Sequence, residues 1–154
     1  MLRACLQRLM PQDALQIRGR HNAMNALAAL ALTNAIGIPL ADALRALEAY
    51  RGEAHRVQYV MTVNGVDYID DSKGTNVDST LKAVETMTRP TVLILGGYDK
   101  KVSFDPLSAE IKAKEDLIRE TVLIGETAPK IEESLRRAGY GKILHAGSMR
   151  EAVQ

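Results

Sequence analysis

The feature that most constrains the fold is an alternation of short apolar runs with helical segments in the second half of the chain. Residues 91–95 (TVLIL) and 121–124 (TVLI) are wholly apolar apart from threonine, and each run ends in glycine. Helical patterns follow at residues 106–113 and 126–138. Short apolar strands separated by helices are typical of a parallel sheet that helices cover. The sequence therefore predicts an α/β fold with a mostly parallel sheet.

Two helices and a hairpin precede this alternating part. Alanine-rich residues 20–34 favour a helix that ends before Gly37, and a second helix is predicted over residues 40–50. Asn64-Gly65 then predicts the type I′ turn of a β-hairpin. The change from helices to a hairpin predicts a domain boundary between residues 53 and 54.

The remaining predicted elements are shorter. Residues 77–87 are predicted to be helical, and residues 142–145 form a short strand. Ser148 is predicted to cap a last helix, and residues 15–17 to be the end of a strand.

Composition excludes several classes of protein. The 154 residues are 46% apolar and 25% charged, as in soluble globular proteins, and a net charge of +1 gives no basic surface for nucleic acid. The longest apolar stretch, residues 23–38, is too short and too polar to span a membrane. A lone cysteine, Cys5, cannot form an internal disulfide and suits a reducing compartment. We therefore expect a cytoplasmic protein that binds neither nucleic acid nor membrane.

Ligands of parallel sheets bind at the carboxyl ends of the strands. In this chain, that edge consists of three predicted loops, at residues 70–76, 96–103 and 125–127. These loops are therefore the first place to look for a binding site.

The first loop, DDSKGTN, combines carboxylates, an ammonium, hydroxyls and an amide between a strand and a helix. Asp71 is suited to accept hydrogen bonds from ribose hydroxyls or to contribute to a metal shell, and Lys73 to neutralise an anionic substrate. Anions are also favoured by the helix start that follows. The alternative is a capped turn, with Thr75 or Asn76 as the N-cap and Lys73 in solvent.

Two further segments of the first half carry polar side chains with binding potential. Asn22 and Asn25 share a helix face, and an asparagine amide can pair with the edge of adenine. The alternative is that Asn22 caps the helix and Asn25 satisfies a neighbouring backbone group. Arg56, in the pair His55-Arg56, can bind phosphate, or can form an ordinary surface ion pair.

The loop after residues 91–95 contains two glycines followed by charged side chains. Gly96-Gly97 permits close approach of the backbone to a ligand, and Asp99 and Lys100 then lie at the binding edge of the sheet. The alternative is an ordinary connection between a strand and a helix.

Several common catalytic motifs are missing from the 154 residues. The sequence has no GxxxxGK[ST] loop for phosphates, no GxGxxG, no HExxH or Cys/His cluster, and no GxSxG. These absences argue against a dinucleotide oxidoreductase, a zinc enzyme and an α/β-hydrolase.

Four motifs in order, GRHNAMNALAA, AHR, DDSKGTN and LILGGYDK, resemble those of the Mur ligases. The DSK-x-TN form resembles the D-glutamate-adding branch of that family. The resemblance covers nearly the whole chain. The departures are Ala54 where the family often has proline, Gln58 for an acidic residue, Asp70 for asparagine and Gly74 for alanine.

The resemblance implies that residues 1–53 are the end of a central ATP-binding domain. It implies that residues 54–154 are a Rossmann-like C-terminal ligase domain, incomplete at its C-terminus. The reaction of the family uses ATP and Mg²⁺ to join D-glutamate to UDP-N-acetylmuramoyl-L-alanine through an acyl phosphate in peptidoglycan synthesis. A cytoplasmic, monomeric enzyme is implied. The P-loop and metal ligands would lie outside this chain, so we expect the chain alone to be inactive.

The resemblance also implies roles for individual residues. Asn25 would contact adenine, Asp71 would hold the ribose, and Arg56 would lie along the nucleotide between the domains. The implied contacts with the substrate and with the D-glutamate carboxylates are Lys73, Thr75 and Lys100, of which the two lysines would be catalytic.

Two alternatives stay open at this point. The chain could belong to another Mur or folylpolyglutamate-type ligase with a different acceptor. It could also be a noncatalytic nucleotide-binding or interaction domain.

Overall fold

The structure is a computed structural model that describes residues 8–17 and 19–154. Cys5 lies outside the described residues. The chain divides into two compact units, Met1–Asp70 and Asp71–Gln154. The predicted boundary between residues 53 and 54 separates domains as the family has them, not the two compact units, and it stays a prediction. No described helix is long and apolar enough to cross a membrane.

The first unit contains the two predicted helices, α1 (Arg20–Ala35) and α2 (Leu40–Ala49). Helix α1 ends as predicted, because Gly37 adopts a φ of 84° that a side chain would disfavour. The Gly37 N–H donates to the Asn34 carbonyl at 3.1 Å, and the Ile38 N–H donates to the Thr33 carbonyl at 3.0 Å. These two bonds satisfy the carbonyls of the last turn in a Schellman motif.

The strand predicted at residues 15–17 is wrong. A short 3-10 helix, Gln12–Ala14, precedes these residues, and residues 16 and 17 form bends. The Gln16 side chain donates to the Glu48 carbonyl at 2.7 Å. Three residues are too short a run for periodicity to distinguish a strand from a loop.

The hairpin of the first unit consists of β1 (Gln58–Val63) and β2 (Val66–Asp70), which pair antiparallel. Val63 lies opposite Val66, so the loop has two residues. Asn64 and Gly65 have φ angles of 51° and 79°, and two positive values are what a type I′ turn requires. The predicted hairpin turn is confirmed.

The second unit is a three-stranded parallel sheet in the order β3-β4-β5. Its strands are Thr91–Gly96 (β3), Ile118–Ile124 (β4) and Ile143–His145 (β5). Its helices are Val77–Glu85 (α3), Asp105–Ala113 (α4), Ala128–Arg137 (α5) and Met149–Val153 (α6). The Ser148 hydroxyl accepts from the Glu151 N–H at 3.2 Å and caps α6 as predicted. The predicted α/β fold with a parallel sheet is confirmed.

The core of the second unit lies between one face of the sheet and its helices. Leu93 of β3 and Leu123 of β4 pack there with Ile111, Ile131 and Leu135 of α4 and α5. Strand β4 begins three residues before the predicted run, at Ile118, which is fully buried. Charged Arg119 and Glu120 follow it on exposed positions, and they concealed the start of the strand.

Lys114 closes the C-terminal end of α3. Its ammonium donates to the carbonyls of Val84 at 3.0 Å and Glu85 at 2.6 Å, and its side chain is 21% exposed. A cation there satisfies orphan carbonyls and complements the negative end of the helix dipole.

We expect Lys114→Met to lower the free energy of unfolding by about 1.5 kcal/mol, measured by urea denaturation. Lys82→Met removes an exposed lysine with one intrahelical partner and should change stability by less than about 0.5 kcal/mol. Equal effects of the two variants would contradict the capping role.

Candidate functional site

Strands β3 and β4 end side by side, β3 at Gly96 and β4 just before Gly125. Gly96 is paired with Ile124, the last residue of β4. A Cβ atom at Gly96 would lie 2.0 Å from the Ile124 carbonyl oxygen, so any side chain would collide with the neighbouring strand. Gly125, directly after Ile124, has a φ of 73°. Glycine is therefore required where the two strands enter their loops.

Thr127 ties the loop after β4 to the loop after β3. Its backbone N–H and its hydroxyl both donate to the Gly97 carbonyl, each at 3.2 Å. Thr127 is 2% exposed, whereas Gly97 is exposed, so the bonds are partly buried. They hold the loop after β3 at its base.

Asp99 organises the tip of that loop. One of its carboxylate oxygens accepts from the Lys101 N–H at 2.8 Å, and the other forms an ion pair with Lys130 of α5. Lys130, and then the Lys101 N–H, lower the pKa of Asp99 below its usual value. The ion pair is therefore complete above the ordinary carboxyl pKa and is lost as pH falls through the lowered value.

Lys100 joins this loop to the DDSKGTN loop. Its ammonium donates to the Thr75 carbonyl at 2.6 Å. The loop at residues 70–76 does not follow a strand of the parallel sheet as predicted, because β2 pairs only with β1 in the antiparallel hairpin. Lys100 nevertheless brings this loop into contact with residues 96–103, which do follow a strand of that sheet. We call Asp71, Lys73, Thr75 and Lys100 the carboxyl-edge set.

The DDSKGTN loop is a compact turn. The Gly74 N–H donates to the Asp71 carbonyl at 2.8 Å, and the Thr75 N–H donates to the Lys73 carbonyl at 2.9 Å. A Cβ at Gly74 would lie 2.9 Å from both the Asp71 carbonyl oxygen and Oδ2. Glycine at this position lets the Asp71 carboxylate lie close against the turn.

The end of the loop is also the start of α3. The Asn76 side chain accepts from the Ser79 N–H at 2.7 Å and is the N-cap. The capping alternative is therefore right for Asn76 rather than for Thr75, whose backbone carbonyl accepts from Lys100. A binding role for Lys73 and Thr75, whose side chains are exposed, stays a prediction.

Asn25 belongs to the first unit. It lies on α1, and its amide donates to the Asn22 side chain at 3.4 Å. The two asparagines share a helix face as predicted. Asn25 is exposed, so its amide edge is accessible to a ligand.

Arg56, also in the first unit, lies in a strained turn. Its neighbours His55 and Val57 both have positive φ angles, 63° and 44°, although neither is glycine. The His55 ring donates from Nδ1 to the carboxylate of Asp70, which ends β2, at 2.6 Å. Backbone strain of this kind persists only where surrounding contacts hold it, and here those contacts present an exposed Arg56.

Two residues of the site were missed by sequence reasoning. Lys130 reaches Asp99 across 31 positions of sequence, and Thr127 reaches Gly97 across 30. The one sequence signal for these contacts was the prediction that residues 96–103 and 125–127 lie at the same edge of a parallel sheet. Among the described residues, no group of three or more His, Cys, Asp or Glu side chains converges to hold a metal ion.

Comparison with known families gives one match over most of the chain. The sequence model described as "Mur ligase, glutamate ligase domain" matches residues 55–154. This match begins at His55 and includes the strained Arg56 turn, the hairpin and the whole carboxyl-edge set.

Individual relatives are similar over nearly the whole chain. The UDP-N-acetylmuramoylalanine–D-glutamate ligases of Burkholderia mallei and Burkholderia pseudomallei are each 50% identical to it over 141 residues. These residues make up 92% of this chain but 27% of each relative, so the chain spans about a quarter of their length.

Solved structures share the fold. The UDP-N-acetylmuramate-alanine ligase of Thermotoga maritima matches with a TM-score of 0.66 and 22% identity, over 87% of this chain and 31% of that one. The UDP-N-acetylmuramoylalanyl-D-glutamyl-2,6-diaminopimelate–D-alanyl-D-alanyl ligase of Acinetobacter baumannii matches with a TM-score of 0.68 and 24% identity, over 90% and 30%.

Proposed function

Because the chain belongs to the Mur ligase family, we propose that it is part of an ATP-dependent ligase that adds D-glutamate to UDP-N-acetylmuramoyl-L-alanine in peptidoglycan synthesis. The observation that carries this proposal is the contact of Lys100 with Thr75 at the carboxyl edge of the sheet. This contact brings together the loops that carry Lys73 and Lys100, in a chain that is 50% identical over 141 residues to D-glutamate ligases. An acceptor with two carboxylates needs such a cationic edge.

The reaction proceeds in two steps. The carboxylate of UDP-N-acetylmuramoyl-L-alanine attacks the γ-phosphorus of ATP, which gives an acyl phosphate and ADP. The amine of D-glutamate then attacks the acyl carbon, loses a proton, and expels phosphate to leave an amide. Every participant is anionic, so ammonium groups at this edge would lower the repulsion among them.

We assign the carboxyl-edge set to this chemistry. Lys73 and Lys100 would neutralise the substrate and acceptor carboxylates, and the Thr75 hydroxyl would hydrogen bond to them. Asp71 would accept from the ribose hydroxyls of ATP. In the first unit, the Asn25 amide would pair with adenine and Arg56 would bind along the nucleotide.

The phosphates of ATP and the accompanying Mg²⁺ need further residues. The 154 residues contain no GxxxxGK[ST] loop, and the described residues hold no acidic cluster. Mg²⁺ is commonly bound by the phosphates with one or two carboxylates. By resemblance to the Mur ligases, we propose that the phosphate and metal contacts lie in other parts of a longer cytoplasmic, monomeric enzyme, and we expect the 154 residues alone to be inactive.

A panel of acceptors tests the proposal. The intact enzyme that carries this chain is supplied with ATP, Mg²⁺ and UDP-N-acetylmuramoyl-L-alanine, and phosphate release is measured with D-glutamate, L-glutamate, L-lysine or D-alanyl-D-alanine. We expect release to depend on D-glutamate, with kcat/KM at least about 100-fold above that of the other acceptors.

The same panel separates the alternatives. Preference for another amino acid or dipeptide would contradict the D-glutamate assignment and indicate a ligase with a different acceptor. Absence of release with every acceptor would contradict the ligase proposal as a whole and favour a noncatalytic domain. The isolated 154-residue chain is the matched control, and it should release no phosphate.

A further inference from the structure

We propose that Lys130, on α5, is a positioning residue for Lys100 and so sets the affinity of the site for the acceptor carboxylates. The proposal rests on the proposed function for the identity of the acceptor. Lys130 acts on Lys100 through the intervening Asp99.

Both oxygens of the Asp99 carboxylate are engaged. One oxygen accepts from the Lys101 N–H at 2.8 Å, which closes a turn around Lys100. The other oxygen is paired with the Lys130 ammonium. The turn that carries Lys100 is thus anchored to a different element of the fold.

Helix α5, which carries Lys130, is a rigid anchor. Helix α5 is held in the core by Ala128, Ile131 and Leu135, which are 6%, 3% and 0% exposed. Thr127, immediately before the helix, binds the Gly97 carbonyl with its N–H and its hydroxyl. The loop is therefore fixed at its base by Thr127 and at its tip by Lys130.

The loop that carries Lys100 has a strained backbone. Lys101 has a φ of 56° and Gly97 a φ of 139°, so the residues on either side of the Tyr98-Asp99-Lys100 segment adopt left-handed conformations. A non-glycine residue holds such a conformation only when its surroundings impose it. At Lys101 the described contact that imposes it is the bond from its N–H to Asp99.

The pair differs from the other lysine–carboxylate pairs of this unit. Among the described pairs, Lys82–Glu85, Lys112–Glu115 and Lys114–Glu110 join residues three or four apart in sequence, whereas Lys130 and Asp99 join α5 to a loop. Asp99 is also the more enclosed partner, with a side chain 21% exposed against 56% for Lys130. An exposed pair contributes little to global stability, so the expected effect is on the placement of Lys100.

The experiment compares Lys130→Met, Lys130→Arg and the control Lys82→Met in the intact enzyme. We expect Lys130→Met to raise the KM for D-glutamate about tenfold, with kcat changed less than about threefold and the KM for ATP unchanged. Hydrogen exchange of the peptide covering residues 97–103 should become about tenfold faster. The thermal midpoint should stay within about 2 °C. Lys130→Arg keeps the charge and should restore both readouts, and Lys82→Met should change neither.

The possible outcomes distinguish failure of the positioning role from failure of the proposed function. An unchanged KM for D-glutamate in Lys130→Met, with an active wild type, would overturn the positioning role and leave the proposed function in place. Faster exchange without a change in KM would assign Lys130 a structural role only and overturn the proposal as well. A wild-type enzyme without D-glutamate-dependent phosphate release would overturn the proposed function itself and, with it, the acceptor that this proposal assumes.

Discussion

Replacing Lys100 with alanine is expected to lower kcat/KM for D-glutamate about 100-fold in the intact enzyme, because a hydrogen bond from a charged group contributes about 1.5–3 kcal/mol. The Lys100 ammonium already lies 2.6 Å from a loop carbonyl, so it is held near the edge before the acceptor arrives. An acceptor carboxylate is a stronger partner than a neutral carbonyl and would take its place. The loss should be measured by steady-state kinetics with D-glutamate as the varied substrate.

The control for Lys100→Ala is Lys82→Ala, an exposed lysine of α3 in the same unit. It removes the same charge, and kcat/KM should change less than about twofold, since its partner is a glutamate on its own helix. Circular dichroism of both variants checks that they are folded. A folded Lys100→Ala enzyme with wild-type kcat/KM would contradict the assignment of Lys100.

Gly96→Ala is expected to lower the free energy of unfolding by about 3 kcal/mol, at the upper end of the usual range for overpacking. The added Cβ would lie 2.0 Å from the Ile124 carbonyl oxygen and 2.8 Å from its carbonyl carbon. Both are backbone atoms of the paired strand β4, so no rotation of a side chain relieves the collision. The strand ends that carry the binding loops would separate, and activity should fall together with stability.

Gly141→Ala is the matched control for Gly96→Ala. No atom lies within 4 Å of a Cβ at Gly141, and its φ is not in the left-handed region. Its free energy of unfolding should stay within about 0.5 kcal/mol of the wild-type value. Equal urea midpoints for the two variants would contradict the close approach of β3 to β4.

Local chemistry made much of the fold predictable. Asn64-Gly65 predicts its turn because few other pairs tolerate two positive φ angles, and Gly37 predicts the end of α1 for the same reason. The apolar run at residues 91–95 predicts β3 because short apolar runs between helices are typical of strands in a parallel sheet, although Val92 is 53% exposed in the structure. Arg119 and Glu120 broke that pattern in β4, so its first residues could not be recognised.

The site was less predictable than the fold. Lys73, Thr75 and Lys100 could be nominated from the resemblance, but the strand before residues 70–76 pairs in the antiparallel hairpin, so parallel topology does not explain why the loops of these residues meet. The contact of Lys100 with the Thr75 carbonyl, and the anchoring of Asp99 by Lys130, join positions 25 and 31 residues apart. Such contacts depend on the distance between loops, which periodicity and propensity do not encode.

We propose that nucleotide and acceptor meet at the carboxyl edge of the second unit, and the variant Asp71→Asn tests this assignment. This change keeps the size of the side chain, and the Asp71 carbonyl still accepts from Gly74. In the intact enzyme we expect the KM for ATP to rise about tenfold, while the KM for D-glutamate changes less than about twofold. An unchanged KM for ATP in the folded variant would contradict it.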